Sequence, residues 1–113
     1  MNNIAEKMDT GESRRPPDIF RAARDNDIAE LARALGAGQL LSDQKADLSN
    51  MTPVHVACLN TSNDFLAAAV QHHSFDPWIR DDNLRTAFDH ASARNNRSAQ
   101  RILLDFMSTR TFA

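Results

Sequence analysis

Apolar and polar positions repeat along this 113-residue chain with the spacing of helices. The clearest stripe is spaced by three and four residues and consists of Ile28, Leu31, Ala32, Ala34 and Leu35. A shorter apolar set over residues 19–23 precedes it, behind Asp18, which is well suited to cap a helix. Asn26 and Asp27 separate the two sets, and Gly38 suits the left-handed position that ends a helix. This stretch therefore predicts a helix, a tight turn, a second helix and a loop.

The same helix–turn–helix pattern restarts twice after a polar connection over residues 39–51. Thr52 can cap the next helix, and Pro53 suits its first position, where a missing N–H costs no hydrogen bond. Thr86 opens the third unit, 34 residues after Thr52. Periods of this length are typical of stacked repeats, because a lone helix pair cannot bury its apolar face. The pattern therefore predicts an all-α fold with little true sheet, in which each unit packs against its neighbours.

The two ends of the chain lack this pattern. The polar composition of residues 1–17 predicts a flexible N-terminal tail, with a short helical turn around residues 4–8. Residues 108–113 are expected to form a frayed C-terminus. The repeat domain is accordingly predicted to span residues 18–107.

Composition and charge narrow the function classes. A formal net charge of −2 and a pI of about 6.0 give no overall attraction to nucleic acid or to an anionic membrane. No apolar run approaches the roughly 18 residues that span a bilayer, and the N-terminus lacks the apolar core of a secretory signal. The single cysteine, Cys58, indicates a reducing compartment. A cytoplasmic protein is expected, although delivery into another cell without a cleaved signal would leave the same sequence.

Two segments in phase resemble a known repeat family. "TPVHVA", residues 52–57, matches the T-P-L-H-x-A motif of ankyrin repeats with one conservative change. "DPWIRDDNLRTAFDHA", residues 76–91, resembles the hairpin that leads into the first helix of the next repeat. Residues 19–38 resemble an opening repeat without its hairpin. The resemblance implies an ankyrin-like solenoid of about three stacked helix-turn-helix repeats, with the first and last degenerate.

The chain departs from this family at several turn positions. The family usually has glycine between the two helices of a repeat, where this chain has Asn26, Thr61 and Asn95. Leu84 replaces the hairpin glycine, and Ala87 replaces the proline of the motif. Asparagine tolerates left-handed backbone, whereas a β-branched residue does so poorly. The turn at Thr61 is therefore expected to be strained or differently shaped.

His55 and Cys58, three residues apart, raise the question of a metal site or a Cys–His nucleophile. Zinc would need two further ligands, and a nucleophile would need a pocket and an oxyanion site. The resemblance instead implies that His55 hydrogen-bonds locally, at the helix start and the neighbouring loop. Cys58 is expected to pack as a small hydrophobe, and Asp89 to hydrogen-bond near Thr86. We expect no enzyme activity, no metal and no cofactor.

The resemblance implies that a partner binds to the hairpin tips and to the inner face of the first helix of each repeat. By position this surface comprises Met51, Asn60, Trp78, Arg80, Asp82, Asn83, Arg85 and Arg94. Trp78 either packs on the helices below it or anchors the interface, since Trp and Arg are enriched in binding hot spots. The sequence thus predicts a non-catalytic adaptor that binds another protein, identity unknown, and neither nucleic acid nor membrane.

Charge and apolar residues near the C-terminus leave two alternatives open. From residue 80 onward the sequence contains six arginines and four aspartates. Such an excess of positive charge is typical of a solvated capping face or of a binding site for an acidic partner. No aromatic stacking set accompanies these arginines, so single-stranded nucleic acid is disfavoured. The alternative function is a homo-oligomeric structural protein that associates weakly through "RILLDFM", residues 101–107, with Leu104 and Met107 as the contact residues.

Overall fold

The computed structural model describes residues 15–112, with side chains up to residue 108. The helical turn expected around residues 4–8, and most of the expected tail, lie outside the described residues. Within residues 15–112 the chain is all-α, which confirms the predicted fold class, and its helices follow one another in three pairs. They are α1 (Ile19–Asp25), α2 (Ile28–Gly36), α3 (Pro53–Leu59), α4 (Asn63–Ala69), α5 (Ala87–Ala93) and α6 (Arg97–Phe112).

The connections between pairs contain little regular structure. A single 3₁₀ turn over Ala46–Leu48 and one isolated bridge between Lys45 and Met51 lie in the first long connection. No strand is present in the described part of the chain, as predicted. The last helix runs to Phe112, beyond residue 107, where the sequence pattern places the end of the repeat domain.

Side-chain caps begin the helices where the sequence predicts them. Asp18 accepts hydrogen bonds from the backbone N–H groups at the start of α1. Thr52 and Thr86 each accept from the backbone N–H three residues later, and each is part of a reciprocal capping box. Such caps satisfy N–H groups that have no partner within the helix. The two threonines therefore begin equivalent seven-residue helices, α3 and α5.

Packing between pairs stabilises helices that are too short to persist alone. α3 contacts both α1 and α5, while α4 contacts both α2 and α6, so the three pairs form two rows. One continuous cluster of buried side chains runs through both rows. Its largest fully buried apolar members are Ile19, Leu41, Val54, Phe65, Leu66 and Leu103. Each pair thus covers apolar surface that its neighbour would otherwise expose to water.

Left-handed residues make the turn inside each pair. Asn26, Thr61 and Asn95 have φ angles of 56°, 58° and 57° and follow α1, α3 and α5. Leu84, which stands at the predicted hairpin-glycine position, has φ 63°. Asparagine accepts this conformation more readily than threonine or leucine does, because their Cβ substituents crowd the backbone. The predicted strain at Thr61 is therefore present in its backbone geometry.

Replacing Thr61 by glycine is expected to raise the free energy of unfolding by about 1 kcal/mol, because glycine adopts positive φ without steric cost. Thr61 is exposed, so the change removes no buried contact. Urea denaturation measures the effect. Thr61→Ala is the matched control, since alanine retains the Cβ atom and should give no comparable gain. A gain from alanine equal to that from glycine would contradict this explanation.

Candidate protein-interaction surface

The buried imidazole of His55 joins the start of α3 to a distant loop. The backbone N–H of Thr52 donates to Nδ1 of His55 at 3.1 Å, and the Thr52 hydroxyl lies 2.8 Å from the same atom. Because Nδ1 accepts, the ring proton resides on Nε2, which donates to the carbonyl oxygen of Arg85 at 2.9 Å. Both ring nitrogens are therefore engaged within the protein. The predicted structural role of His55 is confirmed.

A buried carboxylate holds the same loop from the other side. Asp81 is only 4% exposed, and its Oδ1 accepts from the backbone N–H groups of Asn83 and Arg85 at 2.9 and 3.0 Å. Nε2 of His90 donates to Oδ2 at 2.8 Å. Desolvation favours the protonated acid, but these hydrogen bonds outweigh it and lower the pKa of the Asp81 carboxyl. Asp81 and His90 thus fix the backbone that carries the exposed arginines.

Two loops come together into one surface, which we call the loop edge: residues 44–51 and residues 80–85. The backbone N–H of Asp82 donates to the carbonyl of Ser49 at 2.9 Å, and Nδ2 of Asn50 donates to Oδ1 of Asp82 at 2.8 Å. Nε2 of Gln44 reaches the carbonyl of Arg80 at 3.2 Å. Each of these bonds joins two residues that are more than 30 positions apart in the sequence. The loop edge is therefore one connected feature of the fold.

Most of the predicted partner-binding residues lie on or beside this edge. Arg80, Asp82, Asn83 and Arg85 are exposed in the second loop, and Met51 is half-buried in the first. Asn60 and Arg94 are exposed C-caps of α3 and α5. Trp78 is 52% exposed and lines a different recess, together with Ser42, His73, Ser74, Phe75, Asp76 and Phe106. The indole is therefore accessible, but it belongs to another part of the surface than Met51 and Asn60.

A groove of about 450 Å³ opens beside the first loop. It is lined by α1, by the first loop and by α3, through Asp18, Phe20, Arg21, Arg24, Lys45, Leu48, Met51, Val56, Leu59 and Asn60. Of these lining residues, only Met51 and Asn60 are predicted from the sequence to bind a partner. Phe20 could have been identified from the sequence, because it lies off the helix face formed by Ile19, Ala22 and Ala23, which are buried. An apolar side chain out of register with its helix often faces a groove or a partner.

Cys58 is packed as the sequence predicts. Its side chain is fully buried, and desolvation raises the pKa of the thiol to about 12. At neutral pH the sulfur is therefore a protonated thiol, whereas nucleophiles and metal ligands act as thiolates. Among the described residues, no three His, Cys, Asp or Glu side chains are grouped as metal ligands. The prediction that Cys58 packs as a small apolar residue of the core is confirmed.

The stability of the fold is expected to fall on mild acidification because of His55. Burial lowers the pKa of this imidazole below its ordinary value of 6.5. Below that ordinary value the unfolded chain binds a proton that the folded chain refuses, so the free energy of unfolding decreases down to the folded pKa. Above the ordinary value of 6.5, His55 contributes no pH dependence. Protonated Nδ1 also could no longer accept from the Thr52 N–H.

Urea denaturation at about pH 7.5 and about pH 5.5 tests this expectation. Two other titratable groups lie beside His55 and could contribute to the pH dependence. They are His90, whose ring centroid is 5.5 Å from that of His55, and Asp81, which is hydrogen-bonded to His90. The lowered pKa of Asp81 acts in a more acidic window, below the ordinary carboxyl value. His55→Gln should therefore reduce the difference between the two pH values. A pH dependence that His55→Gln leaves unchanged would assign the effect to another group.

Two further observations bear on identity. No helix in the described part of the chain has the length and apolar character needed to cross a membrane. Comparison with known proteins found no family model that matches the chain and no curated protein that matches it.

Proposed function

We propose that the chain is a non-catalytic protein-interaction module, an ankyrin-like solenoid. It captures another protein through its loop edge and through its inner helices, which are the first helices of the three pairs, α1, α3 and α5. The observation that supports this most directly is the bonding of the two loops through Asp82, with the second loop anchored from below by His55 and Asp81. A surface held in one conformation loses little entropy on binding. The loop edge therefore offers a preformed surface for a partner protein.

Arg80 and Arg85 are the proposed anchors of the partner. Nη1 of Arg80 donates to the carbonyl of Leu84 at 3.0 Å, which orients the guanidinium over the loop. The Arg85 side chain is exposed, while its backbone N–H and carbonyl hold the loop in place. Arginine offers several donors in a rigid plane and is frequent among hot spots. We propose Trp78 as a more distant contact of the same partner. We also propose that the protein is located in the cytoplasm, because its single cysteine, Cys58, is a free thiol.

The combined replacement Arg80→Ala and Arg85→Ala is expected to weaken partner binding by about tenfold or more. The thermal unfolding midpoint should hardly change, because the alanine variant retains the backbone groups that bond to His55 and Asp81. Affinity capture from a native lysate with mass spectrometry identifies the partner, and titration with that purified partner then measures the affinity. Arg97→Ala with Arg101→Ala, which removes two exposed arginines from α6, is the matched control. Equal binding by wild type and the loop variant would refute the assignment.

The second proposal is weak self-association through α6. Leu104 is 48% exposed and lines a shallow recess with Arg97, Gln100, Arg101 and Asp105. Met107, the other residue predicted for this contact, packs partly against the core. Light scattering over a concentration series separates the two proposals, since a strict monomer would exclude self-association.

A further inference from the structure

We infer that the groove between α1, the first loop and α3 receives an acidic segment of the partner protein, with an apolar side chain of that segment inserted. This inference rests on the proposed function and specifies the chemistry of the partner. It concerns a part of the surface that Arg80 and Arg85 do not line. The groove is continuous with the loop edge through Lys45, Leu48 and Met51, which belong to both.

The floor of the groove is apolar. Phe20 comes from α1, Leu48 and Met51 from the first loop, and Val56 and Leu59 from α3. A volume of about 450 Å³ lies within the range of ligand pockets, roughly 300 to 1,000 Å³, and accommodates apolar side chains of a partner. Burying such side chains here would remove apolar surface of both molecules from water. An occupant must therefore present at least one sizeable apolar group.

The charged groups around this floor are mostly cationic. Among the residues that the structure describes, Arg21, Arg24 and Lys45 line the groove, together with one carboxylate, that of Asp18. That carboxylate already accepts from the backbone N–H groups at the start of α1. The Lys45 ammonium lies 5.7 Å from the centroid of the Phe20 ring, directly beside the floor. Lys45 takes part in none of the ion pairs found among the described residues.

The two arginines keep donors for a partner. Arg21 binds the buried carboxylate of Glu30, and Arg24 binds Asp25. These contacts use Nε and Nη2 of each guanidinium. Within the described part of the chain, Nη1 of neither arginine enters a hydrogen bond that the structure records. These Nη1 donors beside an apolar floor suit a partner segment that carries a carboxylate next to an apolar side chain. A basic segment would instead bring its positive charges close to Lys45.

Titration of the ¹⁵N-labelled full chain tests this inference by NMR. The probe is the blocked peptide acetyl-Glu-Glu-Leu-Phe-Glu-Glu-amide. We expect saturable shifts at the backbone amides of Phe20, Lys45, Met51 and Asn60. Lys45→Glu, an exposed substitution, should weaken peptide binding by about fivefold. Arg101→Glu, which reverses an exposed charge on α6, is the matched control and should leave the affinity unchanged.

Two control peptides separate charge from apolar contact. Lysine in place of every glutamate should abolish binding, and glycine in place of Leu-Phe should weaken it strongly. Equal binding of the lysine peptide, equal affinity of the Lys45→Glu variant, shifts centred on α6, or no binding at all would each overturn the inference. If capture of the partner still depends on Arg80 and Arg85 in such a case, the proposed function stands and this inference alone fails. Partner capture that is indifferent to both arginines would instead overturn the proposed function.

Discussion

Replacing Leu103 by alanine is expected to lower the free energy of unfolding by about 3 kcal/mol. The side chain is completely buried in the continuous cluster, on the helix that packs against both α4 and α5. Alanine removes apolar contacts and leaves a cavity that the short surrounding helices fill only in part. Urea denaturation with linear extrapolation measures the loss.

The neighbouring Leu104 is the matched control. It is 48% exposed, so Leu104→Ala should change the free energy of unfolding by about 0.5 kcal/mol or less. Because all three helix pairs share one core, Leu103→Ala should shift a single cooperative transition. Equal effects of the two substitutions, or separate transitions for the pairs, would contradict the proposed stacking of interdependent units.

Replacing His55 by alanine is expected to cost about 3 kcal/mol, because it combines a cavity with the loss of buried hydrogen bonds. The substitution leaves the backbone N–H of Thr52 and the carbonyl of Arg85 without the imidazole they contact. Thr52 is fully buried, so water does not readily replace the lost bond. Thermal and urea denaturation should both register the loss.

Asp89 provides the comparison at the equivalent position of the next unit. It completes the capping box of α5 through bonds to Thr86, but it is exposed to solvent. Asp89→Ala should therefore cost only about 1 kcal/mol, the usual value of a helix cap. A His55→Ala variant as stable as wild type would refute the structural role of this histidine and would reopen a catalytic or metal-binding one.

Local features of the fold could be predicted from the sequence. Thr52 could be identified as a cap and Thr86 as the start of the next unit, because a cap depends on residues within one helical turn of each other. The resemblance to a family with glycine at Asn26, Thr61 and Asn95 drew attention to these turns, and all three residues have positive φ angles. The ankyrin resemblance as a whole stays a prediction.

Long-range features could not be predicted in the same way. Asp81 and Asp82 are the same residue type side by side, and only the packed fold decides that Asp81 is buried against His90 while Asp82 joins the first loop. The groove depends on the relative placement of Phe20, Lys45 and Leu59, which lie on three separate elements. The continuation of α6 was missed because residues 108–111 are polar, yet they contain no glycine or proline to end a helix.

Hydrogen–deuterium exchange of the full chain, alone and with its captured partner, tests the central claim most directly. If the loop edge and the inner helices form the binding surface, bound partner should slow amide exchange in residues 44–51 and 80–85 and in α1, and leave α6 unchanged. Slower exchange confined to α6, with both loops unaffected, would contradict the proposed binding surface.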